Sequence, residues 1–228
     1  MMIKKKLKVL TFRFCVFCVF CLFFLAKTAY ADTIFLLPPS LNKSISIEEA
    51  LSNRKSVKSY LGRKLRKQDL AQILWAASGV NRPNEGKRTH PSPMAKYNVK
   101  VYVCVDESVF MYLPIPHRLQ YVGSSKIEGI DVRTILPSKD YSKEAPVQLV
   151  FVGDISALPA KFNPSLRWNW VYCEVGTMIQ NLYLQCTALG LGTCVNAGFD
   201  SNIAKQYLKL SSSQKVLFVA PVGYEDRQ

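Results

Sequence analysis

The sequence contains only two histidines, His90 and His117, among its 228 residues. Its cysteines and histidines never take the spacing of a zinc site, and the Gly-x-Ser-x-Gly turn of serine hydrolases is missing. These absences argue against zinc chemistry and against a Ser-His-Asp hydrolase. The surrounding sequence favours a loop near a cleft for His90 and a strand for His117.

Acidic residues are also scarce, with 16 against 30 lysines and arginines. The first 31 residues hold six of the cations and no acid, which leaves 24 cations against 16 acids and a net charge of +8. A basic chain suits an anionic ligand, and binding of nucleic acid is the alternative. The densest basic run contains a single aromatic residue, Tyr60, and no regular alternation of aromatic and basic residues, which argues against nucleic acid as a partner.

The apolar run near the N-terminus covers 13 residues, 14–26, and a spanning helix needs roughly 20. It follows a cationic start and precedes Ala29-Tyr30-Ala31. This pattern predicts a signal peptide over residues 1–31, and hence an exported protein, periplasmic or secreted, with no stable membrane anchor after cleavage. An uncleaved anchor is the alternative.

Residues 32–228 are long enough for one domain with a substantial core. Ser46 and Glu49 form a capping-box pair that starts a helix ending near Arg54. Helical spacing of apolar residues predicts a second helix over 68–78. The stretch 168–189 has no proline and is apolar nearly all round, which predicts a long buried core helix whose end is marked by Gly190 and Gly192. A further short helix follows a cap at Asp200 or Ser201.

Alternating residues predict a strand over 99–105, and two runs around residues 114–116 predict a hairpin. The apolar runs 147–153 and 216–222 are typical of strands covered on both faces. The fold class is therefore α+β, with a central, mainly antiparallel sheet flanked by helices and a long buried core helix. The four cysteines beyond the signal are expected to pack in this core, and their disulfide state stays open. They are Cys104, Cys173, Cys186 and Cys194.

Seven cations and no acid occupy residues 54–67. A solvated surface and an anion site both fit such a run. Ser56 stands between Arg54 and Lys58 just after a helix, so a hydroxyl and two cationic donors can converge on a phosphate.

This basic element is accompanied by distinctive segments at residues 74–82, 88–92, 176–185, 188–192 and 221–224. In order and spacing they resemble the FMN-dependent nitroreductases, in particular the branch that includes the azoline dehydrogenases. The resemblance covers residues 46–227 and implies a nitroreductase-like FMN-binding domain over 32–228. Only the combination of segments is specific, since an isolated Arg-x-Ser would be weak evidence.

Site residues follow from the resemblance alone. It implies that the phosphate and ribityl end of FMN binds the first part of the basic run, with a cation near the pyrimidine edge of the ring. Backbone near flavin N5 would come from the segment after the core helix, and a serine of the 81–97 loop would contact the ring. The phosphate and ribityl contacts would be Arg54, Lys55 and Ser56, and the cation near the pyrimidine edge would be Lys58. The backbone near N5 would come from Asn196, Ala197 and Gly198, and the serine that contacts the ring would be Ser92. Arg227 would complete the phosphate site.

The implied function is an FMN-dependent oxidoreductase that transfers hydride through flavin N5 to or from an unknown small substrate, with NAD(P)H as a candidate donor. The resemblance also implies a homodimer with FMN at the subunit interface. In such a dimer the apolar arm over residues 34–37 would wrap the partner subunit. Ala95 stands where many relatives carry asparagine, and the basic tail is short. A catalytically degenerate flavin-fold binding protein is therefore the alternative.

Overall fold

A computed structural model describes residues 33–42, 45–127, 130–131 and 144–226. The chain divides into two units, Met1–Ile34 and Phe35–Gln228, and a short strand, β1 (Thr33–Phe35), lies at their boundary. The predicted signal peptide and Arg227 fall outside the described residues. None of the helices in the described ranges is long and apolar enough to cross a membrane.

The second unit contains four described helices, α1 (Ile47–Asn53), α2 (Lys67–Ser78), α3 (Pro164–Ala188) and α4 (Ser201–Tyr207). Ser46 caps α1 by accepting from the Glu49 amide at 3.1 Å, as its sequence predicts. The core helix α3 begins four residues before the predicted start. Asn163 accepts from the Leu166 amide at 2.8 Å, and Pro164 suits the first turn, so the helix begins there.

The remaining strands are β2 (Val80–Arg82), β3 (Lys87–Arg88), β4 (Val99–Val105), β5 (Ser108–Leu113), β6 (Arg118–Ser124), β7 (Lys126–Ile127), β8 (Ile130–Asp131), β9 (Val147–Asp154), β10 (Leu191–Thr193) and β11 (Gln214–Tyr224). Within the second unit the main sheet has the order β6-β5-β4-β9-β11-β10, and each adjacent pair is antiparallel. The predicted α+β class and antiparallel sheet are confirmed.

One strand prediction needs correction. His117 lies in the turn before β6, at φ +45°, and not in a strand. The prediction that the core helix stops at Gly190 is confirmed, and this glycine has a φ of +67°. The sequence analysis did not identify β10, which begins directly after Gly190 and pairs with the end of β11, because a strand of three residues is too short to show a period.

The sheet is covered on both faces. Alternate residues of β4 and β9 point to opposite sides, so Val101 and Phe151 pack in the cluster beneath α3, while Tyr102 and Val150 pack in the cluster that includes Ala204 of α4. This double burial explains why the β9 sequence is apolar throughout.

The core helix α3 buries a face spaced at three and four residues, while its opposite side carries exposed residues such as Tyr172. Cys173 is also exposed on that side, so the core-packing prediction is wrong for this residue. The other three cysteines beyond the signal, Cys104, Cys186 and Cys194, are buried.

Candidate functional site

The first part of the basic run is an extended segment that lies against β10. Helix α1 ends at Arg54, whose φ of −60° and ψ of 121° turn the chain into this segment. The Val57 amide donates to the Thr193 carbonyl at 3.0 Å. The contact is so close that a Cβ added to Gly192 would lie 2.4 Å from the Val57 Cβ. Gly192 therefore lets the segment that carries Arg54 and Ser56 approach the sheet.

Tyr183 of α3 joins this segment to the chain that follows β10. Its hydroxyl lies 3.2 Å from the Ser56 Oγ and accepts a hydrogen bond from the Val195 amide at 3.1 Å. The Arg54 guanidinium carbon lies 5.3 Å from the centroid of its ring. Arg54 and Ser56 are thus brought together with the segment that carries Asn196. Sequence reasoning missed Tyr183, although a hydroxyl within an apolar stretch of helix is a usable signal.

The segment after β10 presents two exposed backbone amides. Asn196 is fixed by a reciprocal pair with Val219, its amide donating at 2.8 Å and its carbonyl accepting at 2.9 Å. The next residues, Ala197 and Gly198, are exposed. Among the described residues, nothing accepts a hydrogen bond from either of their amides. These N–H groups follow Val195, whose amide binds the same Tyr183 hydroxyl as Ser56. The groups that Tyr183 links in this way, Arg54, Ser56 and the Ala197 and Gly198 amides, form the corner at Tyr183.

Other predicted phosphate residues have different surroundings. Lys55 forms an ion pair with Glu225 at 2.5 Å, although its side chain is 63% exposed. Lys58 is exposed beside it. Glu225 therefore competes with any anion for Lys55. The roles of these lysines stay predictions.

The second part of the basic run, Arg63 to Arg66, contacts acidic and aromatic residues of the same chain. Arg66 donates two hydrogen bonds to Asp69, at 2.8 and 2.9 Å, and these bonds raise its pKa. Lys64 pairs with Asp106 at 2.8 Å, and the Arg63 guanidinium stacks 3.7 Å from the Tyr224 ring centroid. These cations line a hollow of about 430 Å³ at the C-terminal end of α3, where the helix dipole favours positive charge. The basic run is therefore divided between Arg54–Lys58 and a second, exposed group of cations that contact acids and an aromatic ring of the same chain.

Ser92 contacts a buried carboxylate. Its hydroxyl donates to Glu174 Oε2 at 2.7 Å and accepts from the Tyr97 amide at 2.7 Å. Glu174 is 1% exposed and also accepts from Asn98 Nδ2 at 3.1 Å and from the Val99 amide at 3.2 Å. The flavin contact of Ser92 stays a prediction, and its hydroxyl already has these two partners. The sequence analysis missed Glu174, although it is the sole acidic residue in α3 and an acid in a largely apolar helix indicates a buried polar contact.

The loop between Ser92 and Asn98 contains strained backbone. Met94, Ala95 and Tyr97 have φ angles of +52°, +53° and +53°, which cost about 1–3 kcal/mol each for residues other than glycine. Arg88 supports the loop from below, because its amide donates to the Tyr97 hydroxyl at 3.2 Å and its guanidinium lies 4.2 Å from that ring's centroid. Burial lowers the pKa of Arg88, and Tyr97 and Glu174 oppose that shift.

His90 lies in a loop, as predicted, but its side chain is buried, with 2% of its surface exposed. One ring nitrogen lies 3.2 Å from the Ser78 Oγ and the other 3.1 Å from the Pro91 carbonyl. Burial lowers the pKa of His90 to about 4, against the smaller opposing effect of the Pro91 carbonyl. A neutral, enclosed imidazole holds the loop in place and has no proton to supply near neutral pH.

A separate cavity of about 720 Å³ lies between residues 40–50, α2 and α3. It contains none of the predicted flavin residues. Two of its polar side chains are already paired within the protein: Gln72 accepts from the Ser40 amide at 2.8 Å and donates to the Ser40 carbonyl at 3.2 Å, and Asn181 donates to the Thr89 carbonyl at 3.1 Å. The corner at Tyr183, where donors are exposed, is therefore the stronger candidate site.

Comparison with known proteins points in one direction. The model of the nitroreductase family matches residues 51–224. A candidate nitroreductase of Methanocaldococcus jannaschii is 29% identical over 198 residues, which cover 84% of this chain and 97% of that protein. A candidate nitroreductase of Ralstonia eutropha has a solved structure with a TM-score of 0.78 and 27% identity, covering 86% of this chain and 91% of that one.

A more distant similarity is to a chain of the Escherichia coli microcin synthetase complex, solved with a truncated pro-peptide bound. The TM-score is 0.66 and the identity 21%, over 85% of this chain and 78% of that chain. At this identity the likeness concerns the fold alone.

Proposed function

The chain belongs to the nitroreductase family and is an oxidoreductase of nitroreductase type, and from this premise we propose that its cofactor is FMN. The observation that carries the proposal is the corner at Tyr183. It combines a cation, a hydroxyl and two backbone amides from which no residue in the described ranges accepts a hydrogen bond, and these are the donor types that hold a phosphate and a polar ring edge.

The residues present fit this group. Arg54 and Ser56 would hold the phosphate and ribityl end, with Lys55 available once its pair with Glu225 opens. The exposed Ala197 and Gly198 amides would face the ring, and the small side chains permit close approach. Lys58 would favour the reduced, negatively charged state of the cofactor. Arg227 and Ser92 remain proposed contacts.

When bound, FMN supplies hydride transfer through N5 to or from a small substrate, with NAD(P)H as the proposed donor. The protein positions this cofactor and surrounds it with fixed charges and amides. The buried neutral His90 and the fully hydrogen-bonded Glu174 maintain the neighbouring loop.

Reduction of the cofactor tests the enzymatic proposal. The protein loaded with FMN is mixed anaerobically with NADH or NADPH, and the flavin absorbance band is followed before a nitroaromatic or a quinone is added. Bleaching followed by reoxidation by the substrate is expected. Bound FMN that neither donor reduces would instead support the catalytically degenerate binding protein, which the occupied hydroxyl of Ser92 and the presence of Ala95 favour.

We also propose a homodimer. Large apolar side chains are exposed along the start of the second unit, among them Phe35 at 66%, Leu41 at 79% and Ile47 at 55%. A group of exposed apolar residues suits an interface between copies. Residues 36–40 also bond to their own chain, through His117, Gln68 and Gln72. Light scattering on the eluting protein should give twice the chain mass, and a monomer at high concentration would contradict the dimer.

Export is proposed from the pattern of residues 1–31. N-terminal sequencing of protein recovered outside the cytoplasm should begin at Asp32. A start at Met1 or Met2 would contradict cleavage.

A further inference from the structure

We propose that Tyr183 is a positioning residue for the cofactor, holding Arg54 and Ser56 in the orientation that binds a phosphate and linking them to the segment that carries Ala197 and Gly198. The inference rests on the proposed FMN function and assigns a role to a residue of the core helix.

The hydrogen bonds around the Tyr183 hydroxyl have a direction. The Val195 amide can only donate, so it occupies a lone pair of the hydroxyl at 3.1 Å. The hydroxyl proton is then available to the Ser56 Oγ, 3.2 Å away. If Tyr183 donates to Ser56, the proton of Ser56 is left to donate outward. A chain of donors from Val195 through Tyr183 to Ser56 therefore favours an anion at its end, and each bond strengthens the next.

The ring of Tyr183 acts on Arg54. The guanidinium carbon lies 5.3 Å from the ring centroid, within the range of a cation–π contact worth about 0.5–1 kcal/mol at an exposed site. A contact of this kind restricts a long side chain that would otherwise sample many rotamers, so less entropy is lost when a phosphate binds.

Tyr183 can fix these groups because its own position is fixed. It lies in α3 beside Leu182, which is fully buried, and one turn before Cys186, which is 1% exposed. The Thr187 hydroxyl donates to its carbonyl at 2.9 Å. The proposed phosphate-binding groups are thus held by a helix with a buried face, although they belong to a largely exposed extended segment.

The test compares FMN with riboflavin, which lacks the phosphate. Tyr183→Phe keeps the ring and removes the hydroxyl, and Tyr183→Leu removes both. Tyr183→Phe removes the hydrogen bonds to Ser56 and from Val195. Loss of the Ser56 bond, which supports the phosphate contact, should weaken FMN binding about 3- to 10-fold, and Tyr183→Leu should weaken it more, with riboflavin affinity changed less than about twofold. Tyr172→Phe, an exposed tyrosine of the same helix, should change neither affinity.

A double-mutant cycle tests whether Tyr183 acts through Ser56. In the Ser56→Ala background, Tyr183→Phe should weaken FMN binding by less than about twofold, because the Ser56 hydroxyl through which Tyr183 reaches the phosphate is already gone and only the bond from Val195 remains to be lost. An equal effect in both backgrounds, or an equal loss of FMN and riboflavin, would overturn the positioning role. Thermal unfolding of each variant without cofactor shows whether the fold is retained.

The outcomes for the inference and for the proposed function differ. Wild-type protein that prefers FMN to riboflavin, with the preference unchanged in Tyr183→Phe, overturns the inference and leaves the FMN function standing. Wild-type protein that binds neither ligand overturns the FMN function and the inference with it.

Discussion

Replacing Glu174 with glutamine perturbs the support of the loop that carries Ser92. The carboxylate is 1% exposed and accepts three hydrogen bonds, from the Ser92 hydroxyl, the Asn98 side chain and the Val99 amide. Glutamine has the same shape but offers one acceptor oxygen and one donor nitrogen. At least one of the three hydrogen-bond donors must therefore face the new NH2 group, which is itself a donor.

The least costly orientation turns the new nitrogen toward Val99, because Oε2 serves two donors and Oε1 only one. A buried amide without an acceptor costs about 1–3 kcal/mol. The bonds from Ser92 and Asn98 also change from charge-assisted to neutral, at about 1 kcal/mol each. Relief from burying a charge reduces this sum, although Arg88 loses a nearby carboxylate. The net expectation is a loss of about 3 kcal/mol in the free energy of unfolding.

Urea unfolding followed by circular dichroism measures this loss, and the melting temperature should fall by about 6–12 °C for a domain of this size. Glu85→Gln is the matched control. Its carboxylate is 57% exposed and pairs with Arg82 at 3.6 Å, so its removal should cost less than about 1 kcal/mol. A Glu174→Gln protein as stable as Glu85→Gln would refute the buried hydrogen-bonding role.

Three other changes have defined outcomes. Gly192→Ala adds a methyl 2.4 Å from the Val57 Cβ, so the free energy of unfolding should fall by about 1–3 kcal/mol in urea, and titration should show a weaker affinity for FMN. Gly176→Ala is the control, because an added Cβ there would meet no atom within 4 Å, and it should be neutral or stabilising. Burial lowers the pKa of His90 from 6.5 to about 4, so the unfolded chain binds a proton before the folded protein does as the pH falls. The free energy of unfolding should therefore decrease by about 3 kcal/mol between pH 6.5 and pH 4. His90→Gln should flatten that decrease in urea unfolding, and an unchanged pH dependence would contradict the assignment. Glu225→Gln releases Lys55 from its ion pair and should tighten FMN binding by up to about fivefold at low salt, with weaker binding as the contrary result.

Much of the fold follows from local patterns. The capping pair at Ser46, the helical spacing over α2 and the alternation over β4 each depend on neighbours a few residues apart, and each element forms where the sequence predicts it. The apolar β9 run is confirmed as a strand buried on both faces. Two predictions failed. His117 is the last residue of the turn and not the first residue of β6, and Cys173 lies on the side of α3 that faces away from the core.

The candidate site was only partly predictable for a related reason. A basic run can be recognised in a sequence, but which of its cations are used within the protein cannot, because Lys64 pairs with Asp106, 42 residues away along the chain. Tyr183 lies more than a hundred residues from Ser56 along the chain and meets it only through the packing of α3 against the sheet. Glu174 similarly meets its donors from a distant loop. Contacts of this range have no local signature.

The central claim is that the corner formed by Arg54, Ser56 and the Ala197–Gly198 amides binds FMN. Equilibrium titration of the purified protein with FMN, followed by quenching of flavin fluorescence, tests it most directly. Saturation at one FMN per chain is expected, with affinity reduced roughly 10- to 100-fold in Arg54→Ala, which loses a charged phosphate contact, and unchanged in Lys205→Ala on exposed α4. Absence of saturable binding, or equal affinities for the wild type and Arg54→Ala, would contradict the account.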